Sequence, residues 1–128
     1  MTRYLLDSSF VIDLLNAIAD NDDEGVALNW LRRNPHAQLW ISPVTLAEVL
    51  EGAGDPQTVT AYLGRYRWQG IHRIQAERAA LLRRRAAKRM GENDAWQAAV
   101  AACMKAKVLG HDEGFKRLGT GYEDYLAS

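Results

Sequence analysis

The stretch Tyr4-Leu5-Leu6-Asp7-Ser8-Ser9-Phe10-Val11-Ile12-Asp13-Leu14-Leu15 sets an apolar run directly against a carboxylate and two hydroxyls, then resumes with apolar residues at a different period. A short apolar run bounded by polar turn residues reads as a buried strand of a parallel sheet, and Phe10, Val11, Leu14 and Leu15 recur at helical spacing. The chain is therefore expected to end a strand at Asp7 and to turn at Ser8-Ser9 into a helix. In open parallel sheets ligands gather beyond the carboxyl ends of the strands. Asp7 thus stands where chemistry would be done.

The rest of the chain repeats this alternation. Asp22-Asp23-Glu24 precedes a helical pattern of Val26, Ala27, Trp30 and Leu31 that ends in Arg32-Arg33 and stops at Asn34-Pro35, with charges that suit a helix dipole. Leu39-Trp40-Ile41 is a short strand; Ser42-Pro43 caps a helix that runs to about Glu51, ends at Gly52 and carries Glu48. Asp55 or Gln57 opens the next helix, with Val59, Tyr62, Leu63 and Tyr66 on one side, stopping before Gly70; Ile71 to Ile74 reads as a strand. From Gln75 to about Arg89, Ala79, Leu82, Ala86 and Met90 form a stripe opposite Arg78, Arg85 and Arg89. Asn93 is expected to cap a helix from Asp94 to Lys105, followed by a strand Lys107-Val108-Leu109-Gly110, a turn of helix through Phe115 and Leu118, and a tail from Tyr122 to Leu126. Helices separating short apolar strands point to a three-layer α/β domain around a parallel sheet.

Composition bounds the function. The 128 residues are 48% apolar and 25% charged, an ordinary globular balance that suits one domain over 1–128. No apolar run approaches the roughly 18 to 20 residues that span a bilayer, and the first residues lack the pattern of a signal peptide, so no membrane partner and a cytoplasmic location are expected. The single Cys103, among alanines, reads as a small core or interface residue. Net charge is zero but unevenly spread: residues 1–55 carry nine acids and three bases, residues 56–92 two acids and nine bases. A basic segment beside an acidic centre suits a polyanion more than bulk coating of nucleic acid does. Arg83, Arg84, Arg85, Lys88 and Arg89 are candidates to contact such a polyanion, with Arg65, Arg67 and Arg73 nearby, and a solvated helix face is the alternative. Trp30, Trp40, Trp68 and Trp96 read as core or interface residues.

Four acids occupy similar places in this reading: Asp7 after the first strand, Glu48 on the helix after the second, Asp94 at a helix start and Asp112 after a later strand. Gathered at one sheet edge they would repel one another, which calls for raised pKa values or a cation that cancels the charge. An all-oxygen donor set suits hard divalent ions, and no Cys/His spacing suits zinc. Surface acids at caps and turns are the alternative.

Leu5-Leu6-Asp7-Ser8-Ser9-Phe10-Val11-Ile12-Asp13, Ile41-Ser42-Pro43-Val44-Thr45-Leu46-Ala47-Glu48, Asn93-Asp94-Ala95-Trp96-Gln97-Ala98-Ala99 and Val108-Leu109-Gly110-His111-Asp112-Glu113-Gly114-Phe115 together resemble the four motifs of PIN-domain ribonucleases, most closely VapC-type toxins of type II toxin–antitoxin pairs. The resemblance implies a three-layer α/β/α fold with a mostly parallel central sheet of four to five strands, and a hydrolase: a Mg²⁺- or Mn²⁺-dependent endoribonuclease. Asp7, Glu48, Asp94 and Asp112 would be the catalytic metal-site acids, holding one ion or two, with Ser9 supporting Asp7. It further implies an RNA substrate, with tRNA and rRNA as candidates, a small antitoxin covering the acidic pocket, and a homodimer. The sequence departs from the family at Gly110, where a Thr or Ser usually stands two residues before the fourth aspartate, so one supporting hydroxyl is missing. His111 reads as a solvent-facing loop residue, with phosphate contact the alternative, and Glu51 competes with Glu48 for the glutamate role. Two other functions remain open: a PIN-like domain that serves RNA housekeeping or is a silent binding module, and a haloacid dehalogenase-type phosphatase. The phosphatase would need a second Asp at position 9, where Ser9 stands.

Overall fold

The computed structural model describes residues 1–86 and 90–127. In chain order the elements are β1 (Arg3–Leu6), α1 (Ser8–Ala19), α2 (Val26–Arg33), β2 (Gln38–Ile41), α3 (Pro43–Glu51), α4 (Pro56–Leu63), β3 (Arg67–Trp68), α5 (Arg73–Arg85), α6 (Glu92–Cys103), β4 (Lys107–Gly110), a 3₁₀ stretch (Glu113–Gly121) kinked at Gly119, and β5 (Tyr122–Asp124). The strands form one sheet of order β3-β2-β1-β4-β5 in which every pairing is parallel. From the central β1 the chain winds outward to β2 and β3, then crosses to the other side for β4 and β5. The carboxyl ends of β1 and β4 flank the point of reversal, where such sheets open a crevice.

The period of two along β1 decides the layers. Tyr4 and Leu6 pack with Phe10, Val11 and Leu14 of α1, Trp30 of α2, Val49 of α3, Leu63 of α4 and Tyr125. Phe10 meets Trp30 and Tyr125 edge-on, with ring centroids 5.8 and 5.1 Å apart. Leu5 faces the other way, onto Val100 and Ala101 of α6, Met104 that caps it, Val108 and Phe115. α5 packs in turn on α6 through Ala79, Leu82, Ala95 and Ala99. The result is the three-layer α/β/α architecture that the alternating pattern implies, with a fully parallel sheet of five strands.

Several boundaries differ from those read in the sequence. The third strand is Arg67–Trp68, paired with Trp40 and Ile41, and not Ile71 to Ile74; Ile71 packs beneath the sheet while Ile74 lies in α5 and is exposed. α4 stops at Leu63 with Gly64 as its cap, so Tyr66 lies beyond the helix, though its ring still meets Tyr62 edge-on. α6 begins at Glu92 and is capped by Gly91, which puts Asn93 inside the helix. The tail contains an edge strand, because Tyr122, Glu123 and Asp124 pair with Val108, Leu109 and Gly110. α5 ends at Arg85, and the remainder of the helix expected to reach Arg89 falls on positions 87–89, outside the described residues. Cys103 is exposed, not a core residue, since it ends α6 on the side away from the sheet cluster. Trp30, Trp40 and Trp96 join hydrophobic clusters, whereas Trp68 on the edge strand is 51% exposed. Among the described residues no helix is long and apolar enough to cross a membrane.

Candidate active site

Asp7 leaves β1 still paired, its backbone N–H donating to the Leu109 carbonyl of β4 at 2.9 Å. Its carboxylate then caps α1, accepting from the Ser9 backbone N–H and, at 2.9 Å, from the Ser9 hydroxyl. A buried Asp at this position satisfies a helix terminus and meets the positive end of its dipole. The Ser9 hydroxyl oxygen in turn accepts from the His111 backbone N–H at 3.0 Å, so Ser9 joins the two strand ends.

That junction explains Gly110. A Cβ there would fall 2.7 Å from the Cβ of Asp7 and 3.1 Å from the Ser9 hydroxyl. Glycine at 110 leaves the space in which the Ser9 hydroxyl meets Asp7 and the His111 N–H. His111 itself is exposed and turns outward, with Nδ1 3.1 Å from the Asp124 carboxylate.

Asp112 caps the 3₁₀ stretch, accepting from the Gly114 N–H at 2.8 Å, and its own N–H donates to the Tyr122 hydroxyl. Gly114 is a second close approach: a Cβ would lie 2.4 Å from Oδ2 of Asp94 and 3.3 Å from Oδ1 of Asp112. Glycine at 114 therefore lets two carboxylates from different elements face one another. Asp94 reaches this place from the first turn of α6 and Glu48 from the second turn of α3.

The four acids lie near enough to act on one another's ionisation. Burial raises the pKa of Asp7 against the opposing pull of its Ser9 and Ser8 hydrogen bonds, and the charge of Asp112 raises it further. Glu48 is raised by burial and by the charges of Asp7 and Asp112, while hydrogen bonds with the Asn93 and Ser8 side chains lower it. Asp94 is pushed up to about 6 by burial and then by Asp112, Asp7 and Glu48, with the Arg117 guanidinium pulling the other way. Glu51 is exposed at the end of α3 and takes no part in this set.

The sequence reading missed Ser8, Asn93, Gly114 and Arg117. Ser8 and Gly114 lie beside motif acids and are open to notice; Asn93 reads as a helix cap, and nothing in the local pattern singles out Arg117. Of the candidate RNA-binding residues, Arg83 is partly buried and Arg84 and Arg85 are exposed at the end of α5, where Leu82 packs in one cluster with Met90, Ala95 and Trp96. The run thus emerges beside the end of α6 that carries Asp94. Lys88 and Arg89 lie outside the described residues. Glu48 also borders an apolar groove of about 520 Å³ between α1, α3 and α4, lined by Ile12, Leu15, Val49, Val59 and Tyr62.

The donor chemistry fits a hard divalent cation: four carboxylates, three of them with their charged forms disfavoured by burial and by one another. Among the described residues no three acid, His or Cys side chains stand as a ready-made ligand cluster. An ion of the Mg²⁺ kind keeps several waters and needs only one or two carboxylates directly, so this spacing is compatible with it.

The fold has counterparts among solved structures. The chain matches a toxin–antitoxin complex from Klebsiella pneumoniae with TM-score 0.79 and 24% identity, covering 95% of this chain and 97% of the other. It matches VapBC2 from Rickettsia felis, solved with a promoter DNA fragment, with TM-score 0.73 and 20% identity, covering 95% and 98%. VapC20 from Mycobacterium tuberculosis, described as a sarcin-ricin loop cleaving toxin, aligns with TM-score 0.69 and 22% identity, covering 91% and 95%. No curated protein sequence matches the chain. A family model described as PIN domain matches residues 4–121, nearly the whole of the sheet and its helices, and the chain belongs to the PIN domain family.

Proposed function

We propose that the protein is a divalent-metal-dependent endoribonuclease and the toxin of a toxin–antitoxin pair, with Asp7, Glu48, Asp94 and Asp112 as its metal-holding acids. The observation that carries this reading is the gathering of four carboxylates from β1, α3, α6 and the β4 end, where burial and neighbouring acids raise Asp7, Glu48 and Asp94, at the switch point of a parallel sheet. Such an arrangement costs stability and serves no packing purpose that apolar residues would not serve better. A bound Mg²⁺ or Mn²⁺ would cancel that repulsion and supply a water of lowered pKa beside a neutralised phosphate.

The chain's own residues do the rest. Ser9 holds the Asp7 carboxylate in one rotamer and ties it to the β4 end. Asn93 and Ser8 orient Glu48 toward the other acids. Arg83, Arg84 and Arg85 offer guanidinium forks to phosphates of the incoming strand. Hydrolysis adds hydroxide from water to phosphorus and a proton to the leaving 3′ oxygen, giving 5′-phosphate and 3′-hydroxyl ends. A structured RNA such as a tRNA or an rRNA loop is the substrate class, by likeness to the described activity of the Mycobacterium tuberculosis toxin.

The antitoxin part of the reading rests on the groove beside Glu48. Ile12 and Ile18 on α1 are each 43% exposed there, and an apolar helix laid in the groove would end at the carboxylates, where a basic side chain would neutralise them. A homodimer and a cytoplasmic location belong to the same proposal.

The test incubates purified, antitoxin-free protein with a structured RNA pool and Mn²⁺ or Mg²⁺, beside Asp7→Asn, Asp94→Asn and an EDTA control. Specific cuts that need metal and fall by about 10²- to 10³-fold in both variants are expected, the loss typical of removing a group that stabilises the transition state. Identical cutting by wild type and variants would refute the assignment.

A further inference from the structure

Beneath the acidic edge lies a polar chain that the function proposed above does not use. The Ser42 hydroxyl donates to Oε1 of Gln97 at 2.5 Å, Nε2 of Gln97 donates to the Thr45 hydroxyl at 2.6 Å, and the Thr45 hydroxyl donates to the Leu6 carbonyl at 2.6 Å. All three side chains are buried: Gln97 is 1% exposed, and Ser42 and Thr45 are 0%. The direction of every bond is forced. Ser42 already accepts from the Val44 N–H, so its own proton must go to an acceptor, and Thr45 gives its proton to a carbonyl, so it must receive one. Only one orientation of the Gln97 amide meets both demands.

We infer that Gln97, through Ser42 and Thr45, is a positioning residue that sets the spacing of Asp7, Glu48 and Asp94. Each anchor of the chain sits one step from an acid. Leu6 precedes Asp7 at the end of β1, Thr45 lies one helical turn before Glu48 on α3, and Gln97 one turn after Asp94 on α6. The surface that α6 offers for packing is poor in register information: Ala95, Ala98, Ala99 and Ala101 are buried and permit close approach, but they interlock little. Directional bonds from a buried amide supply what small apolar side chains cannot, a fixed rotation and height of α6 against α3 and β1. An apolar residue of equal volume at 97 would still fill the space and would leave two buried hydroxyls short of a partner.

This inference rests on the reading of the acids as a divalent-cation site, and the test separates the two. Mn²⁺ affinity is measured by electron paramagnetic resonance of the free ion for wild type, Gln97→Met, Thr45→Val and Thr45→Ser, with melting temperatures recorded for each. Glu123→Gln serves as a variant weakened elsewhere. Removing a partner that orients metal-holding groups typically costs about 10- to 100-fold in affinity. Gln97→Met and Thr45→Val are expected to lose affinity in that range, Thr45→Ser to recover it, and Glu123→Gln to bind as wild type does despite a lower melting temperature. Variants of Gln97 and Thr45 that melt lower yet bind Mn²⁺ as tightly as wild type would overturn the inference. Failure of wild type to bind Mn²⁺ would refute the cation site instead. The positioning role is then decided by amide ¹H–¹⁵N shifts of residues 47–49 and 93–95, which move in Gln97→Met and not in Glu123→Gln if the chain of bonds sets the spacing, and stay in place if it does not.

Discussion

The protein treats two sets of carboxylates in opposite ways. Glu123 on β5 receives the Tyr4 hydroxyl at 3.0 Å on one oxygen and the Trp30 indole N–H at 2.6 Å on the other, and Asp13 on α1 receives the Tyr125 hydroxyl. These acids are served by donors projecting from the aromatic core, and burial, followed by the contact with Glu123, pushes the Tyr4 hydroxyl up to about 12. Asp7, Glu48, Asp94 and Asp112 instead face one another. Donors reach some of them, from Ser9, Ser8, Asn93 and Gly114, but burial and the charges of neighbouring acids oppose ionisation of Asp7, Glu48 and Asp94. Acids answered by donors hold a fold together; under the proposed function, a cation would answer the acids that stand near other acids.

The sharpest way to break this comparison is to remove a donor from the first set. Trp30→Ala deletes a fully buried ring and the indole N–H that serves Glu123, and is expected to cost about 3–5 kcal/mol. Urea unfolding would register it, and a loss below about 1 kcal/mol would show that the aromatic layer is not the anchor of this side. A smaller effect of opposite sign belongs to the second set. Mn²⁺ at a hundredfold excess over its dissociation constant should stabilise the wild type by about 2.7 kcal/mol, and Asp94→Asn much less. Calorimetry with and without the ion checks this, with equal gains in both proteins as the contrary result. Glu123→Gln should leave the Mn²⁺ gain intact while lowering the baseline by about 1–3 kcal/mol, the usual cost of weakening a buried hydrogen-bonded pair.

The smallest expected difference is in pH dependence. Asp94 rises from 3.8 to about 6 on folding, so the folded chain holds this proton more tightly than the unfolded chain does. Its contribution to stability is therefore fully present below about pH 4 and is lost as the pH climbs through 6. The melting temperature of wild type relative to Asp94→Asn should fall between pH 4 and 7 in metal-free buffer. Parallel curves for the two proteins would mean that Asp94 does not carry this repulsion.

Much of the acidic edge was legible in the sequence because carboxylates at strand ends and first helical turns are local signals. Asp7 follows an apolar run, and Glu48 and Asp94 sit at fixed places in helices whose starts are marked. The short edge strands were harder to read: Arg67–Trp68 is two residues long and exposed, and it exists as a strand only because Trp40 and Ile41 pair with it. Tyr122–Asp124 is likewise made a strand by β4. Gly110 read as a missing hydroxyl, and its meaning as a close approach to Asp7 depends on a neighbour more than a hundred residues away in sequence.

By itself the sequence determined most of the alternation of strands and helices, the apolar faces of several helices, and the four acids at strand ends and early helical turns. Those follow from periodicity and capping, which act over a few residues. Tertiary structure alone decided that Gln97 would reach Ser42 and Thr45, that position 110 must be glycine to let Asp7 and Ser9 approach, and that Glu123 would be satisfied by the core. Each depends on a hydrogen bond or a contact between residues brought together by the sheet, and the energy of such a bond is set by burial and direction that no local stretch of chain contains.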